Sequence, residues 1–304
     1  MPLPNFFILS AGKSGTTALY HTLRQHPEIY ICPVKEPHFF TWEGEPPIFP
    51  GPGGLIPRAV WVWQPRDYLL LFTQVTTERA IGEASTGYLY SPTAAQRIWK
   101  NLPSSRLIVV LRQPAERAYS SYQFNVQRNL EPARTFADAL AQEETRKQAG
   151  WYPALFYRAH GFYHAQLSVY YDLFPREQIR VYLYEDWKNT PQVMLRDLFH
   201  FLEVDENFVP EIRRSNVTLL PKSRRLHNLA THPARIEQLA SFLPTTVRRV
   251  TISALRRIDA RFNLAPPTPL DPELRARLTE EYREDILKLQ DLIGRDLSHW
   301  LKTT

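Results

Sequence analysis

A run of small residues with one lysine follows the first apolar stretch of the chain. After the apolar residues 6–9 comes Gly12-Lys13-Ser14-Gly15-Thr16-Thr17. Where a strand feeds a turn and then a helix, free backbone N–H groups and the positive end of the helix dipole point at one place. Lys13 adds a point charge, and Thr16 and Thr17 add hydroxyl groups. The run therefore predicts a binding site for a phosphate or a related anion.

This run differs from the loop that holds ATP in P-loop kinases. The Walker A pattern has a glycine five residues before its Gly-Lys-Ser/Thr triplet. Phe7 stands at that position here, so the loop is too short to wrap a β,γ-phosphate pair. A kinase that uses ATP and Mg²⁺ is kept as an alternative that activity measurements with Mg²⁺ would test.

A second strand, turn and helix carry an arginine and a serine. Residues 107–111 are a continuous apolar run with β-branched members, as in a parallel strand that is covered on both faces. Arg112 ends the run and Pro114 suits the first turn of a helix. Ser120 then falls about two helical turns along. An arginine and a serine so placed can share one phosphate.

A carboxylate and an imidazole stand two residues apart in Lys35-Glu36-Pro37-His38. In a locally extended segment such residues project to the same side, so both are expected to face one cleft. Either group can accept a proton from a hydroxyl within reach. A salt bridge from Glu36 to Lys35 or Lys13, and a packed structural role for His38, are the alternatives.

Together these segments resemble the sulfotransferases, which use 3′-phosphoadenosine 5′-phosphosulfate. The Lys13 run resembles their 5′-phosphosulfate loop, and Arg112 with Ser120 resembles their 3′-phosphate motif. Residues 33–40, 81–88, 158–167 and 179–187 resemble further segments of the bacterial enzymes and of the heparan-type glycan enzymes, in the same order. The resemblance covers about residues 5–205 and identifies the chain as a member of the bacterial type.

The resemblance implies a role for each of these residues. Nucleotide contacts are implied for Gly12, Lys13, Ser14, Gly15, Thr16, Thr17, Arg112 and Ser120. Residues 221–226 resemble the late loop that closes over the nucleotide, which adds Lys222, Arg224 and Arg225. Lys13 would stabilise the leaving oxygen during in-line transfer, Glu36 would be the base, and His38 its positioning partner or the alternative base. No metal is implied, and the histidine spacings contain no metal-ligand pattern.

The acceptor is less constrained than the donor. Lys35, Glu83, Trp61 and Trp63 are candidate acceptor contacts, although anchoring of the loop 42–66 on the core is the favoured role for the two tryptophans. Thr41 and Ala84 replace an aspartate and a lysine of the heparan-type enzymes, and the late cysteine pair is missing. Heparan recognition is therefore not carried over. A sugar, lipid, secondary-metabolite or carrier-bound hydroxyl group is expected, and a nucleotide- or glycan-binding module without turnover is a further alternative.

The elements that position these residues alternate between strands and helices. The pattern predicts an α/β fold with a P-loop-like central parallel sheet flanked by helices and a helical C-terminal extension. We expect one domain over residues 1–304, with a core at about 5–205 and the closing loop and C-terminal helices at 206–304. The last helix is expected from Asp271, as N-cap, to Leu301, with one apolar stripe formed by Leu274, Leu278, Tyr282, Leu289 and Ile293.

Composition limits the classes of partner. The formal net charge of +6 favours anionic ligands, but aromatic residues do not interleave with the basic clusters, so no nucleic-acid partner is expected. The late clusters at Arg213, Arg214, Arg248, Arg249, Arg256, Arg257 and Arg261 are expected to be solvated helix faces, or to suit an anionic acceptor. The single cysteine, Cys32, excludes an internal disulfide. No apolar run of 18 residues and no export signal is recognised, so no membrane segment and a cytoplasmic location are expected.

Overall fold

A five-stranded parallel sheet in the order β2-β3-β1-β4-β5 forms the centre of the fold in the computed structural model. The structure describes residues 2–52, 61–212, 219–231 and 258–302. The strands are β1 Phe6–Ser10, β2 Ile29–Ile31, β3 Ala80–Ala84, β4 Arg106–Leu111 and β5 Ile179–Leu183. The predicted parallel α/β sheet is therefore confirmed.

Helices cover both faces of the sheet, which is why its central strands are apolar throughout. Phe7 and Leu9 of β1 point into one buried cluster, whereas Phe6 and Ile8 point into the other. The helices before β5 are α1 Thr16–Leu23, α2 Phe39–Trp42, α3 Pro65–Leu70, α4 Ala94–Asn101, α5 Pro114–Gln127, α6 Phe136–Ala141, α7 Glu143–Gln148 and α8 Tyr163–Leu173. They are followed by α9 Tyr184–Asn189, α10 Pro191–Leu202, α11 Arg224–Thr231 and α12 Pro272–Ile293.

The C-terminal extension is helical as predicted, but its helix is shorter. The Asp271 carboxylate accepts a hydrogen bond from the Leu274 N–H at 2.9 Å, which confirms the predicted N-cap. The helix ends at Ile293 rather than Leu301, because Gly294 takes a left-handed conformation at φ 64°. A glycine in this conformation is a common helix stop. A 3₁₀ turn then covers Ser298–Leu301.

Two strands outside the main sheet were not predicted. They are β6 Leu220–Pro221 and β7 Leu264–Ala265, which pair antiparallel and connect the late loop to the start of the C-terminal extension. The predicted basic clusters at Arg213, Arg214, Arg248, Arg249, Arg256 and Arg257 lie outside the described residues. Arg261 is described and is exposed. None of the described helices is both long enough and apolar enough to cross a bilayer.

Candidate active site

The predicted anion loop connects the end of β1 to the start of α1. Lys13 and Gly15 both have positive φ angles, of 75° and 87°. Glycine is required at position 15 for a second reason, because a Cβ there would lie 3.2 Å from Trp187 Cδ1 and 3.4 Å from the Tyr184 ring. The Ser14 hydroxyl is buried and has no hydrogen-bond partner among the described residues. A buried unpaired donor beside a helix N-terminus suits an anionic ligand.

Lys13 is a partly buried cation in this loop. Its Nζ lies 4.2 Å from the centroid of the Phe124 ring on α5. Burial, followed by the neighbouring positive charge of Arg112, lowers the pKa of Lys13 to about 8, although the charge of Glu36 opposes this shift. Lys13 forms no ion pair with a carboxylate of the described residues, and a desolvated ammonium of this kind is stabilised when an anion binds beside it.

Arg112 lies beside the loop. Its Nη1 donates a hydrogen bond to the Lys13 carbonyl at 3.2 Å, and its guanidinium carbon is 5.0 Å from the centroid of the Tyr184 ring. Ser120 is half-buried on α5, one helical turn before Phe124, which contacts Lys13. The structure therefore brings the two predicted phosphate motifs to one cleft, with Tyr184 and Trp187 of α9 on its wall.

Glu36 and His38 meet in the same cleft, but their segment is not extended as expected. Their φ angles are 63° and 54°, in the left-handed region. Even so, His38 Nε2 is 3.4 Å from Glu36 Oε2. Glu36 Oε1 is 2.5 Å from Lys35 Nζ and accepts a hydrogen bond from the Thr86 hydroxyl at 3.2 Å. Burial opposes ionisation, but the charge of Lys35 and contact with His38 together hold the pKa of Glu36 well below its usual range.

Of the four predicted acceptor contacts, Lys35 and Trp61 lie beside this pair. Lys35 reaches Glu36, and the Trp61 ring packs edge-on against His38 with centroids 5.5 Å apart. Trp63 is half-buried. Glu83 differs from the expectation, because it has no exposed surface and its carboxylate accepts hydrogen bonds from buried hydroxyl groups. Glu83 lies beneath the site and does not face an acceptor.

An aromatic cluster that sequence reasoning missed extends from His38. Trp61 stacks on Trp42 with centroids 5.6 Å apart and contacts Phe49 and Tyr152 at 5.8 and 5.5 Å. Trp61 is buried, which agrees with its anchoring role. Trp42, Phe49 and Trp61 belong to one stretch of the chain, but Tyr152 lies about 90 residues further on, so the sequence carries no signal for its contact with Trp61. They form an apolar wall next to the candidate base.

The late loop contributes its basic residues unequally. Arg224 Nη1 donates to the Ala133 carbonyl at 2.6 Å, and Arg224 Nη2 donates to the Tyr122 hydroxyl at 2.7 Å. Its guanidinium therefore holds α11 against the α5 side of the fold. Lys222 and Arg225 are exposed. Of the three basic residues predicted in the late loop, these two therefore have charged groups that are available to a ligand.

Within the described ranges, His, Cys, Asp and Glu do not form any group of three that could hold an ion. The charges that act on Lys13 include those of Lys35, Glu36 and Arg112. The three cations suit an anionic ligand, and the Glu36 carboxylate can accept a proton.

Comparisons of the sequence and of the structure with known proteins agree on one family. Residues 3–238 match the family model described as "Sulfotransferase domain". A crystal structure of a sulfotransferase from Alicyclobacillus acidocaldarius is similar over 99% of this chain and 100% of that chain, with a TM-score of 0.78 and 33% identity.

Two curated relatives are similar over smaller parts. The membrane-associated sulfotransferase kil1 of Dictyostelium discoideum is 24% identical over 71% of this chain and 59% of its own length. Human carbohydrate sulfotransferase 15 is 32% identical over 40% of this chain and 27% of its own length. The chain thus covers less than two thirds of each of these relatives.

Proposed function

Because this chain belongs to the sulfotransferase family, we propose that it transfers the sulfuryl group of 3′-phosphoadenosine 5′-phosphosulfate to an acceptor hydroxyl. The observation that carries the proposal is the convergence of Lys13, Arg112 and the unpaired Ser14 hydroxyl at the N-terminus of α1. Gly12, Gly15, Thr16, Thr17 and Ser120 complete the proposed donor site. Lys222 and Arg225 are proposed to reach the nucleotide from the late loop.

In the proposed reaction the acceptor oxygen attacks sulfur in line with the bridging oxygen of the donor. The new S–O bond forms as the bond to the bridging oxygen breaks, and 3′-phosphoadenosine 5′-phosphate leaves. The Lys13 ammonium stabilises the negative charge that develops on the leaving oxygen. The hydroxyl proton passes to the Glu36 carboxylate, which is ionised at neutral pH, while His38 positions that carboxylate.

The aromatic wall favours an acceptor with an apolar or ring-shaped face next to its hydroxyl. Trp61 and Tyr152 lie on the His38 side of the cleft, and Phe124 lies on the Lys13 side. Aromatic rings pack well against the apolar faces of sugars and of other rings. We propose a hydroxyl acceptor of this kind, taken from the glycan, lipid, secondary-metabolite and carrier-bound classes.

Calorimetric titration tests the donor assignment directly. Wild-type protein should bind 3′-phosphoadenosine 5′-phosphate and should bind ADP and ATP much more weakly. Arg112→Ala should lose about 2 kcal/mol of binding free energy, roughly 30-fold in Kd, since a charge-assisted phosphate contact is removed. Arg283→Ala, which removes an exposed arginine paired with Glu280, is the matched control. Preference for ATP with Mg²⁺ would support the kinase alternative instead.

A further inference from the structure

We infer that Glu83 is a positioning residue that holds Glu36 and His38 in place for proton transfer without touching either substrate. This inference rests on the proposed function. Glu83 stands at the end of β3 and is completely buried. A carboxylate is rarely placed in a protein core unless several hydrogen bonds compensate it.

Three hydroxyl groups donate to the Glu83 carboxylate. Tyr68 and Tyr88 donate to Oε1 at 2.8 and 2.7 Å, and Ser85 donates to Oε2 at 2.7 Å. Burial raises the pKa of Glu83, although the three donors oppose that shift. Each hydroxyl has one proton and uses it in the hydrogen bond to Glu83. The lone pairs of these hydroxyl oxygens are thereby left to accept other hydrogen bonds.

Two of the hydroxyls use those lone pairs on the segment that carries the candidate base. The His38 N–H donates to Ser85 Oγ at 3.0 Å, and the Phe40 N–H donates to Tyr88 Oη at 3.2 Å. The Glu36 N–H donates to the Ala84 carbonyl at 2.8 Å. The N–H groups of Glu36, His38 and Phe40 therefore all donate hydrogen bonds to the end of β3 or to the turn that follows it.

The segment needs this support because its backbone is unusual. Glu36 and His38 both have left-handed φ angles, which side-chain-bearing residues rarely adopt. Glu36 also precedes Pro37, whose ring crowds the preceding residue. Such conformations persist only where surrounding contacts enforce them. Gly87 contributes from the other side, since a Cβ there would lie 2.8 Å from His38 Cε1.

The chain offers a matched pair of substitutions. Tyr68→Phe and Tyr88→Phe each remove one buried hydroxyl that donates to Glu83 Oε1. Of the two, the Tyr88 hydroxyl also accepts a hydrogen bond from the Phe40 N–H. Ser85→Ala removes the acceptor for the His38 N–H, and Glu83→Gln replaces one carboxylate oxygen with an NH₂ donor. Tyr30→Phe, which removes a hydroxyl bonded to the Leu71 carbonyl, is the unrelated control.

We expect Glu83→Gln, Ser85→Ala and Tyr88→Phe to lower kcat by about 10- to 100-fold, as misplacement of a catalytic group does. Tyr68→Phe should cause a smaller loss and Tyr30→Phe none. The Kd for 3′-phosphoadenosine 5′-phosphate should stay within about two-fold in all five variants, since the donor loop is not altered. The ring NMR signals of His38 should move in the first three variants.

Two results would overturn the inference. One is a Glu83→Gln or Ser85→Ala protein with wild-type kcat and unmoved His38 signals. The other is a parallel loss of kcat and nucleotide affinity, which would mean a general structural role. If Glu83→Gln does not fold, Tyr88→Phe and Tyr68→Phe are compared instead. A larger loss of kcat in Tyr88→Phe supports the inference, and equal kcat values contradict it. If the wild type binds no 3′-phosphoadenosine 5′-phosphate, the proposed function fails, while the His38 signals still report on the Glu83 network.

Discussion

At the scale of single residues, the lowered pKa of Lys13 makes a prediction about pH. Burial and Arg112 lower this pKa to about 8 in the protein without nucleotide, so the side chain loses its proton as the pH rises above 8. The proposed donor is anionic, so its binding favours the charged form of Lys13. We therefore expect kcat/KM for the donor to fall about ten-fold per pH unit above pH 8, because this parameter reports on the free enzyme. In kcat the same fall should occur at higher pH.

Steady-state rates between pH 6 and pH 10 measure this behaviour. Lys13→Arg provides the control, because a guanidinium stays charged throughout that range. Its kcat is expected to be lower, but its kcat/KM profile should be flat across pH 8. If kcat/KM of Lys13→Arg still falls above pH 8, the fall reports the titration of another group.

The contact between His38 and Glu36 predicts an unequal effect of their substitutions. Glu36→Gln removes the proposed proton acceptor and should lower kcat by about 10²- to 10⁴-fold. His38→Gln keeps an N–H donor that can reach Glu36 but cannot take up a proton. If His38 only positions Glu36, this variant should retain far more activity than Glu36→Gln. Single-turnover rates with pre-bound donor make the comparison, and the opposite ranking would make His38 the base.

At the scale of elements, the turn between β1 and α1 depends on Gly15 for two separable reasons. Gly15→Ala should lower stability by about 1 kcal/mol through its positive φ, and should also push against Trp187 and Tyr184. Gly44→Ala has nearly the same φ, 83°, but nothing lies within 4 Å of the added Cβ. Thermal unfolding should show a loss in both variants. Titration with 3′-phosphoadenosine 5′-phosphate should show a loss of at least about ten-fold in Gly15→Ala alone.

Similar affinity losses in the two glycine variants would contradict this argument. The cost would then come from backbone strain alone, and the Tyr184 and Trp187 rings of α9 would not shape the loop. Equal affinity for the nucleotide in Gly15→Ala and wild type would remove the loop from the donor site.

The sequence predicts the sheet well because each buried strand is marked by a continuous apolar run within the strand itself. Burial on both faces requires continuous apolar runs, and residues 6–9 and 107–111 show them. The conformation of Glu36 and His38 could not be predicted in this way, because it is imposed by hydrogen bonds that their N–H groups donate to the Ala84 carbonyl and to Ser85 Oγ. The pairing of Trp61 with Tyr152 likewise depends on the packing of distant loops. The helix stop at Gly294 is also a local signal, but the prediction from the sequence continued the helix past it to Leu301.

At the scale of the whole molecule, the C-terminal extension contacts α9, the helix next to the proposed donor site. Arg295 forms two hydrogen bonds with the Asp186 carboxylate, at 2.5 and 3.0 Å, and Trp300 Nε1 donates to Glu185 at 3.3 Å. Both acidic residues belong to α9, which carries the Tyr184 and Trp187 rings beside the anion loop. The Gln113 amide, next to Arg112, donates to the Trp300 carbonyl at 3.3 Å. Residues beyond the end of the family match at position 238 thus belong to the scaffold of the site.

This arrangement predicts a remote effect on nucleotide binding. Arg295→Met should weaken binding of 3′-phosphoadenosine 5′-phosphate by about three- to ten-fold, because Asp186 loses its ion pair and no longer ties α9, with its Tyr184 and Trp187 rings, to the C-terminal extension. Arg283→Met, on the exposed face of α12, should leave affinity unchanged. Calorimetric titration of both variants, alongside their thermal unfolding, separates the outcomes. Lower stability with wild-type affinity in Arg295→Met would mean that the extension stabilises the fold without shaping the donor site.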